Sequence, residues 1–199
     1  MKRQLRAIAL STASLAFALG LAAGVSAQEH KDHKAPAAAP ATAPVPTATT
    51  VSKAVCVLTP TKGSTVHGKV TFTVQADGVL VEAEVSGLKP NSKHGFHIHE
   101  FGDISAEDGA SLGGHYNPAG NPHAAHDADK RHAGDLGNLE ADANGVAKLS
   151  RVDKTIQING EQCILGRGVV VHANPDDFSQ PTGNAGPRAA VGAIGVAKS

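Results

Sequence analysis

From Val51 onward the chain is written in short runs of period two. Val70, Phe72 and Val74 alternate with Thr and Lys, and Val79, Val81, Ala83 and Val85 alternate with Leu80, Glu82 and Glu84. Side chains on a strand alternate between faces, so each run predicts a strand with one buried side. Asp77-Gly78 between the two runs is a hairpin signal. Ala54–Leu58 is a compact apolar run, and further strands are expected at Lys93–Phe101, Gly145–Arg151, Thr155–Ile158, Gly168–His172 and Ala189–Val196. Asn144-Gly145 and Asn159-Gly160 mark turns. No helical period is sustained beyond the N-terminal stretch. The count is eight strands, broken by two long interruptions at about 102–143 and 173–188. The expected fold is all-β, an eight-stranded antiparallel Greek-key barrel or sandwich with two long functional loops.

Composition supports that reading. The chain is 41% apolar but only 3% aromatic, with no Trp and 22 Gly, which suits short strands and turns around an aliphatic core. Its 199 residues are enough for one domain with appendages. The first 27 residues carry only Lys2, Arg3 and Arg6 as charges, followed by uncharged Ala7 to Val25 and the small-residue site Val25-Ser26-Ala27. This predicts a secretory signal over 1–27. The competing reading is an uncleaved anchor, but the stretch is mostly Ala, Gly and Ser. No Cys follows the site, which argues against a lipoprotein. Residues 28–50 read as a disordered Ala/Pro-rich spacer, with Pro36, Pro40, Pro44 and Pro46 against any helix. The domain is then 51–199. The expected location is outside the cytoplasm, periplasmic or secreted, with no membrane contact once the signal is cleaved. Formal charge balances at zero and turns acidic without the leader, so no nucleic-acid partner is expected.

Six histidines and an aspartate carry the chemistry: His97, His99, His115, His123, His132, His172 and Asp135. Seven ligands are too many for one closed four-coordinate site and suit two adjacent metals sharing an imidazole. A shared imidazole loses both ring protons, which favours copper beside zinc. His97 and His99 lie two apart on a predicted strand and share a face, leaving Phe96 and Ile98 for the core. His172 ends the Val169–Val171 strand, and His115 opens a Tyr116-Asn117-Pro118 turn. Four neutral imidazoles suit Cu(II). His123, His132 and Asp135 lie within 13 positions on one loop and, with His115, make a zinc set.

The strings KAVCVL, HGFHIHEFGD, GGHYNP, RHAGDLGN, GRGVVVH and GNAGPR resemble those of copper/zinc superoxide dismutases across about 51–197. The resemblance is closer to the eukaryotic-like branch than to the common proteobacterial periplasmic one. It implies copper on His97, His99, His115 and His172, and zinc on His115, His123, His132 and Asp135, with His115 as the bridge. It implies that Asp176 ties His97 to His123 and that Arg188 sits by the copper and attracts the anion. The implied reaction turns superoxide, the substrate, into dioxygen and hydrogen peroxide, with His115 taking and delivering a proton. The rival is a noncatalytic copper/zinc-binding envelope protein of the same fold. Such relatives typically lose copper ligands or the arginine, and this chain keeps them.

Two departures stand out. The family's usual disulfide would join the Gly109-Ala110 region to Val191, and neither place holds a thiol. Cys56 and Cys163 are expected to stay unpaired, the 102–114 loop is expected to loosen, and a homodimer is left open. The Ala173–Pro187 loop is short and has no Lys, so steering of the anion would fall to Arg188, with Lys130 and Arg131. Separately, cleavage after Ala27 would expose Gln28-Glu29-His30, a terminus able to hold Cu(II), with His33 nearby.

Overall fold

The computed structural model describes residues 50–198. The expected signal, nearly all of the spacer, and the Gln28-Glu29-His30 and His33 terminus lie outside the described residues. Eight antiparallel strands follow: β1 Lys53–Pro60, β2 His67–Gln75, β3 Gly78–Ser86, β4 Lys93–His99, β5 Asp135–Glu140, β6 Ala147–Asp153, β7 Gly168–His172 and β8 Arg188–Val196. Ala110–Leu112 adds a single 3-10 turn. The order across the sheet is β5-β4-β7-β8-β1-β2-β3-β6. Pairing of β4 with β7 and β3 with β6 makes the crossovers of a Greek key. The two ends, β5 and β6, meet at an Ala141–Ala147 bridge and nearly close the barrel. The Arg151 guanidinium also donates across this seam to the Leu136 carbonyl.

The alternation read from sequence decides which face is buried. Val70 and Phe72 of β2, Val79, Val81, Ala83 and Val85 of β3, and Phe96 and Ile98 of β4 all enter the interior cluster. Burying one such large side chain contributes about 1.5–3 kcal/mol. The β2–β3 hairpin turns through Ala76 and Asp77, with Gly78 already paired to Gln75. A Cβ on Gly78 would strike the Asp153 carbonyl, so only glycine fits there.

Eight strands were expected and eight are found, but the set differs. Thr155–Ile158 is not a strand; it contributes one bridge, Gln157 to Cys163. Ile156 and Ile158 are nevertheless buried in the interior cluster. The missing strand is replaced by β5, which lies inside the interruption expected over 102–143. Its DLGNLE sequence sets Leu136 and Leu139 three apart with Gly137 and Asn138 between them, off the strand period of two. Lys93–Phe101 also ends two residues early, at His99.

Arg131 is 4% exposed, which corrects its expected place among steering cations. Its guanidinium donates to the His126, His132 and Ala133 carbonyls and to Asp153 Oδ2, the last at 2.6 Å. The residue therefore pins the 119–134 stretch to the end of β6. Asp153→Ala strands this cation in the interior, a change that costs about 3–5 kcal/mol. Urea unfolding of the metal-free protein should show that loss. A loss under about 1 kcal/mol, typical of an exposed pair, would contradict the anchoring role.

Candidate metal centre

Strand register assembles the centre. His97 on β4 pairs with Asp135 at the start of β5. His99, at the end of β4, forms a bridge with His115. His172, at the end of β7, pairs with Arg188 at the start of β8. Register shifts fall beside two of these pairs, between Gly95 and His97 and between Val171 and His172. Such bulges re-aim side chains next to sites. His97 and His99 share the outer face of β4, opposite Phe96 and Ile98, so the centre lies on the outside of the barrel wall.

Two groups of converging ligand atoms result: His97, His99, His115 and His172, and His115, His123, His132 and Asp135. His115 belongs to both. All seven residues are buried.

The first group is defined by what its nitrogens lack. Asp176 Oδ2 lies 2.8 Å from His97 Nε2. The Gly113 carbonyl lies 2.9 Å from His99 Nδ1, and that of Gly186 lies 3.0 Å from His172 Nδ1. Each contact fixes the ring's tautomer by taking one N–H. The opposite nitrogens, His97 Nδ1, His99 Nε2 and His172 Nε2, are buried without a hydrogen-bond partner. Burial also lowers the pKa of these rings, to about 4 for His97 and about 3 for His172, and well below the ordinary value for His99. The lone pairs are thus free at neutral pH, as metal binding requires. Four imidazole nitrogens fit copper.

The second group closes around one oxygen. His115 Nδ1 and His123 Nδ1 each lie 2.9 Å from Asp135 Oδ1, and His132 Nδ1 lies 3.1 Å from it. His132 Nδ1 is 3.4 Å from His115 Nδ1. A tetrahedral ion with bonds of about 2.0–2.1 Å holds its ligand atoms about 3.3 Å apart, close to this spacing. The short His123 Nδ1 contact is not aligned as a hydrogen bond, which suits a shared ion better than a shared proton. Asp135 Oδ2 is held away by the Ala124 and His132 amides at 3.1 and 3.0 Å. Burial opposes ionisation of Asp135 and Asp176, but hydrogen bonds from the imidazoles keep both below the usual carboxylate range. His123 shows the same imbalance from the other side. Burial would lower its pKa, yet the two carboxylates drive it up to about 9. The pocket calls for a cation, and this set of ligands fits zinc.

Asp176 links the groups, because its Oδ1 lies 2.9 Å from His123 Nε2. A Cβ on Gly183 would collide with this carboxylate, so glycine is required where the 173–187 loop crosses it. The Arg188 guanidinium donates to the Gly109 and Gly113 carbonyls. Gly113 therefore serves both the arginine and His99.

The loop over 102–114 is seated by packing where the family's thiols are missing. Leu112 is fully buried with Val170 and Val191 in a small apolar cluster on the outer wall. A Cβ at Gly109 would stand 2.8 Å from Val191 Cγ1, so backbone and valine fill the place of a covalent link. Both cysteines are free, Cys56 buried in the core and Cys163 donating to the Ile158 carbonyl. Burial pushes the Cys56 thiol up to about 12, which leaves it inert.

Sequence reasoning passed over several supporting residues. His94 lies 2.9 Å from the His172 carbonyl and 2.8 Å from Ser92 Oγ; its parity with Phe96 and Ile98 marks it as inward-facing. Asn138 and Gln180 grip backbone groups of Asp176 and His123, and nothing local in sequence signals this.

A sequence model of the copper/zinc superoxide dismutase family (SODC) matches residues 66–194. The "Superoxide dismutase [Cu-Zn]" of Paramecium bursaria Chlorella virus 1 is 45% identical over 156 residues, covering 74% of this chain and 82% of the viral protein. Among solved structures, the crystal structure of the clock protein EA4 superposes with a TM-score of 0.69 at 40% identity, covering 75% of this chain and 97% of that one. By profile, by relatives and by fold, the chain belongs to the copper/zinc superoxide dismutase family.

Proposed function

We propose that His97, His99, His115 and His172 hold copper, that His115, His123, His132 and Asp135 hold zinc, and that His115 joins the two. The chain is a superoxide dismutase that converts superoxide to dioxygen and hydrogen peroxide. Its cofactors are copper and zinc. The observation that carries the ligand assignment is the set of buried imidazole nitrogens with no protein partner. Bound copper supplies the one-electron chemistry, while zinc, which has no redox role, holds its ligands in place.

The residues do the rest. With Nδ1 in the zinc group, His115 leaves Nε2 to the copper group. Between the two half-reactions it would take a proton from solvent at Nε2 and pass it to the departing peroxide, whose second proton comes from water. Asp176 keeps the Nε2 of both His97 and His123 occupied, so each offers Nδ1. Arg188, fixed by two carbonyls beside His172, supplies the cation that draws in the small anion. The 173–187 loop contains no Lys or Arg, and Arg131 is buried against Asp153, so the attraction rests mainly on Arg188. A noncatalytic reading finds no support, since neither the ligand set nor the arginine is depleted.

Two further readings concern context. Residues 1–27 act as a cleaved export signal and 28–50 as a spacer, on the strength of their charge and proline pattern. The mature protein forms a homodimer that covers exposed apolar residues: Val57 and Val196 on β1 and β8 are 63% and 64% exposed, and Phe101 and Ile104 after β4 are 55% and 48% exposed.

His115→Ala should lower activity by about a hundredfold or more, beyond the usual effect of losing a residue that only supports a ligand. It should also let copper and zinc contents vary independently in metal analysis; full activity would refute the bridge. Arg188→Glu should slow turnover at least about tenfold at low salt, with the gap narrowing as salt rises. Both metals should stay bound, and equal rates at low salt would remove the guiding role. For the context readings, intact mass of the exported protein should begin at Gln28, and sedimentation should give a dimer that Phe101→Glu dissociates. A retained leader or a native monomer would overturn the respective reading.

A further inference from the structure

Three residues of the 173–187 loop meet His123 at three points. Asp176 Oδ1 takes the ring at Nε2, 2.9 Å away. The Phe178 ring stacks on the imidazole with centroids 6.4 Å apart and planes 27° apart. Gln180 takes the backbone: its Oε1 accepts from the His123 N–H at 3.1 Å and its Nε2 donates to the His123 carbonyl at 2.6 Å. The contacts come from alternate residues, 176, 178 and 180, so one short segment presents three side chains to one ligand.

The backbone of the segment is shaped for this. Phe178 has φ 61°, a left-handed conformation that a bulky L residue rarely adopts. Its N–H donates to Asp176 Oδ1 at 2.8 Å, which brings its ring over His123. Strain of this kind persists where surrounding contacts fix it. Asn184 braces the far side, its Nδ2 donating to Asp177 Oδ2 and Ser179 Oγ. On the opposite side Asn138 grips the Asp176 backbone in the same two-point manner, at 2.9 and 2.8 Å. Both partners of the Asp176–His123 contact are thus held through their peptides by an amide side chain.

We propose that Gln180 is a positioning residue for zinc: it clips the peptide of His123 so that Nδ1 stays aimed at the ion, and it links zinc occupancy to closure of the 173–187 loop. Gln180 touches no metal and acts only through His123. The inference rests on the zinc assignment above. It gives a loop of 15 residues without Lys a hold on the peptide of a buried ligand.

The test uses the full-length protein with cobalt(II) in the zinc position, followed by its visible spectrum, and zinc release to a chelator. Wild-type protein should show the intense bands of a tetrahedral site. Gln180→Ala should release zinc about tenfold faster, the lower end of what losing a support for a metal ligand does. It should also alter the cobalt bands and raise hydrogen exchange at residues 176–184. Gln180→Glu, which keeps the acceptor for the His123 N–H and loses the donor, should fall between the two. The melting temperature of the metal-free protein should stay close to wild type. Identical bands and release rates in Gln180→Ala and wild type would refute the clip. Lower metal-free stability with unchanged release would refute it too, by reducing Gln180 to a structural role. Absence of tetrahedral bands in the wild type would overturn the zinc assignment and the clip with it.

Discussion

Six buried imidazoles and two buried carboxylates cannot be packed together without cations. Three Nδ1 atoms crowd one oxygen of Asp135, and three further ring nitrogens are buried facing no protein partner. Unpaired buried polar atoms are costly, and a metal is the economical way to satisfy several at once. That demand organises the outer wall of the barrel. The long segments from 100 to 134 and from 173 to 187 have few apolar residues of their own, and they are folded by what they bring to this cluster.

The barrel supplies rigidity and the loops supply position. Register sets His97 beside Asp135, His99 beside His115 and His172 beside Arg188, so the wall fixes the relative placement of both groups and the guanidinium. The loops then fix ring orientation through carbonyls and carboxylates. Gly113 orients His99 and Arg188 together, and Asp176 orients His97 and His123 together. Each of these shared acceptors couples two functional side chains, so movement of either loop disturbs two of them. In place of a covalent tie, the first loop is seated by Leu112 against Val170 and Val191. This hold is apolar and does not depend on thiol chemistry.

Much of this was legible along the chain. Period-two alternation identified β2 and β3 and the faces they bury, because a strand's side-chain period is a local property. The i, i+2 spacing placed His97 and His99 on one face, and the family strings pointed to the residues that converge in the two groups. The interior role of Phe96 and Ile98 followed from the same parity. Residue type and local spacing carry such information directly.

Other features belonged to the tertiary structure alone. The DLGNLE strand pairs along β4 although its own pattern is weak, and Thr155–Ile158 makes only the Gln157–Cys163 bridge while β6 pairs along β3. Arg131 looked like a surface cation until Asp153 and three carbonyls enclosed it. The grip of Gln180 on His123 spans 57 positions, and that of Asn138 on Asp176 spans 38. Hydrogen bonds from side chain to distant backbone leave no periodic trace, since any exposed amide residue could make them. The sequence determined which chemistry the chain can perform, because ligands and strand parity are local. The fold decided which charges are buried, which loop is anchored and how each ring is turned, because those depend on neighbours that only folding brings together.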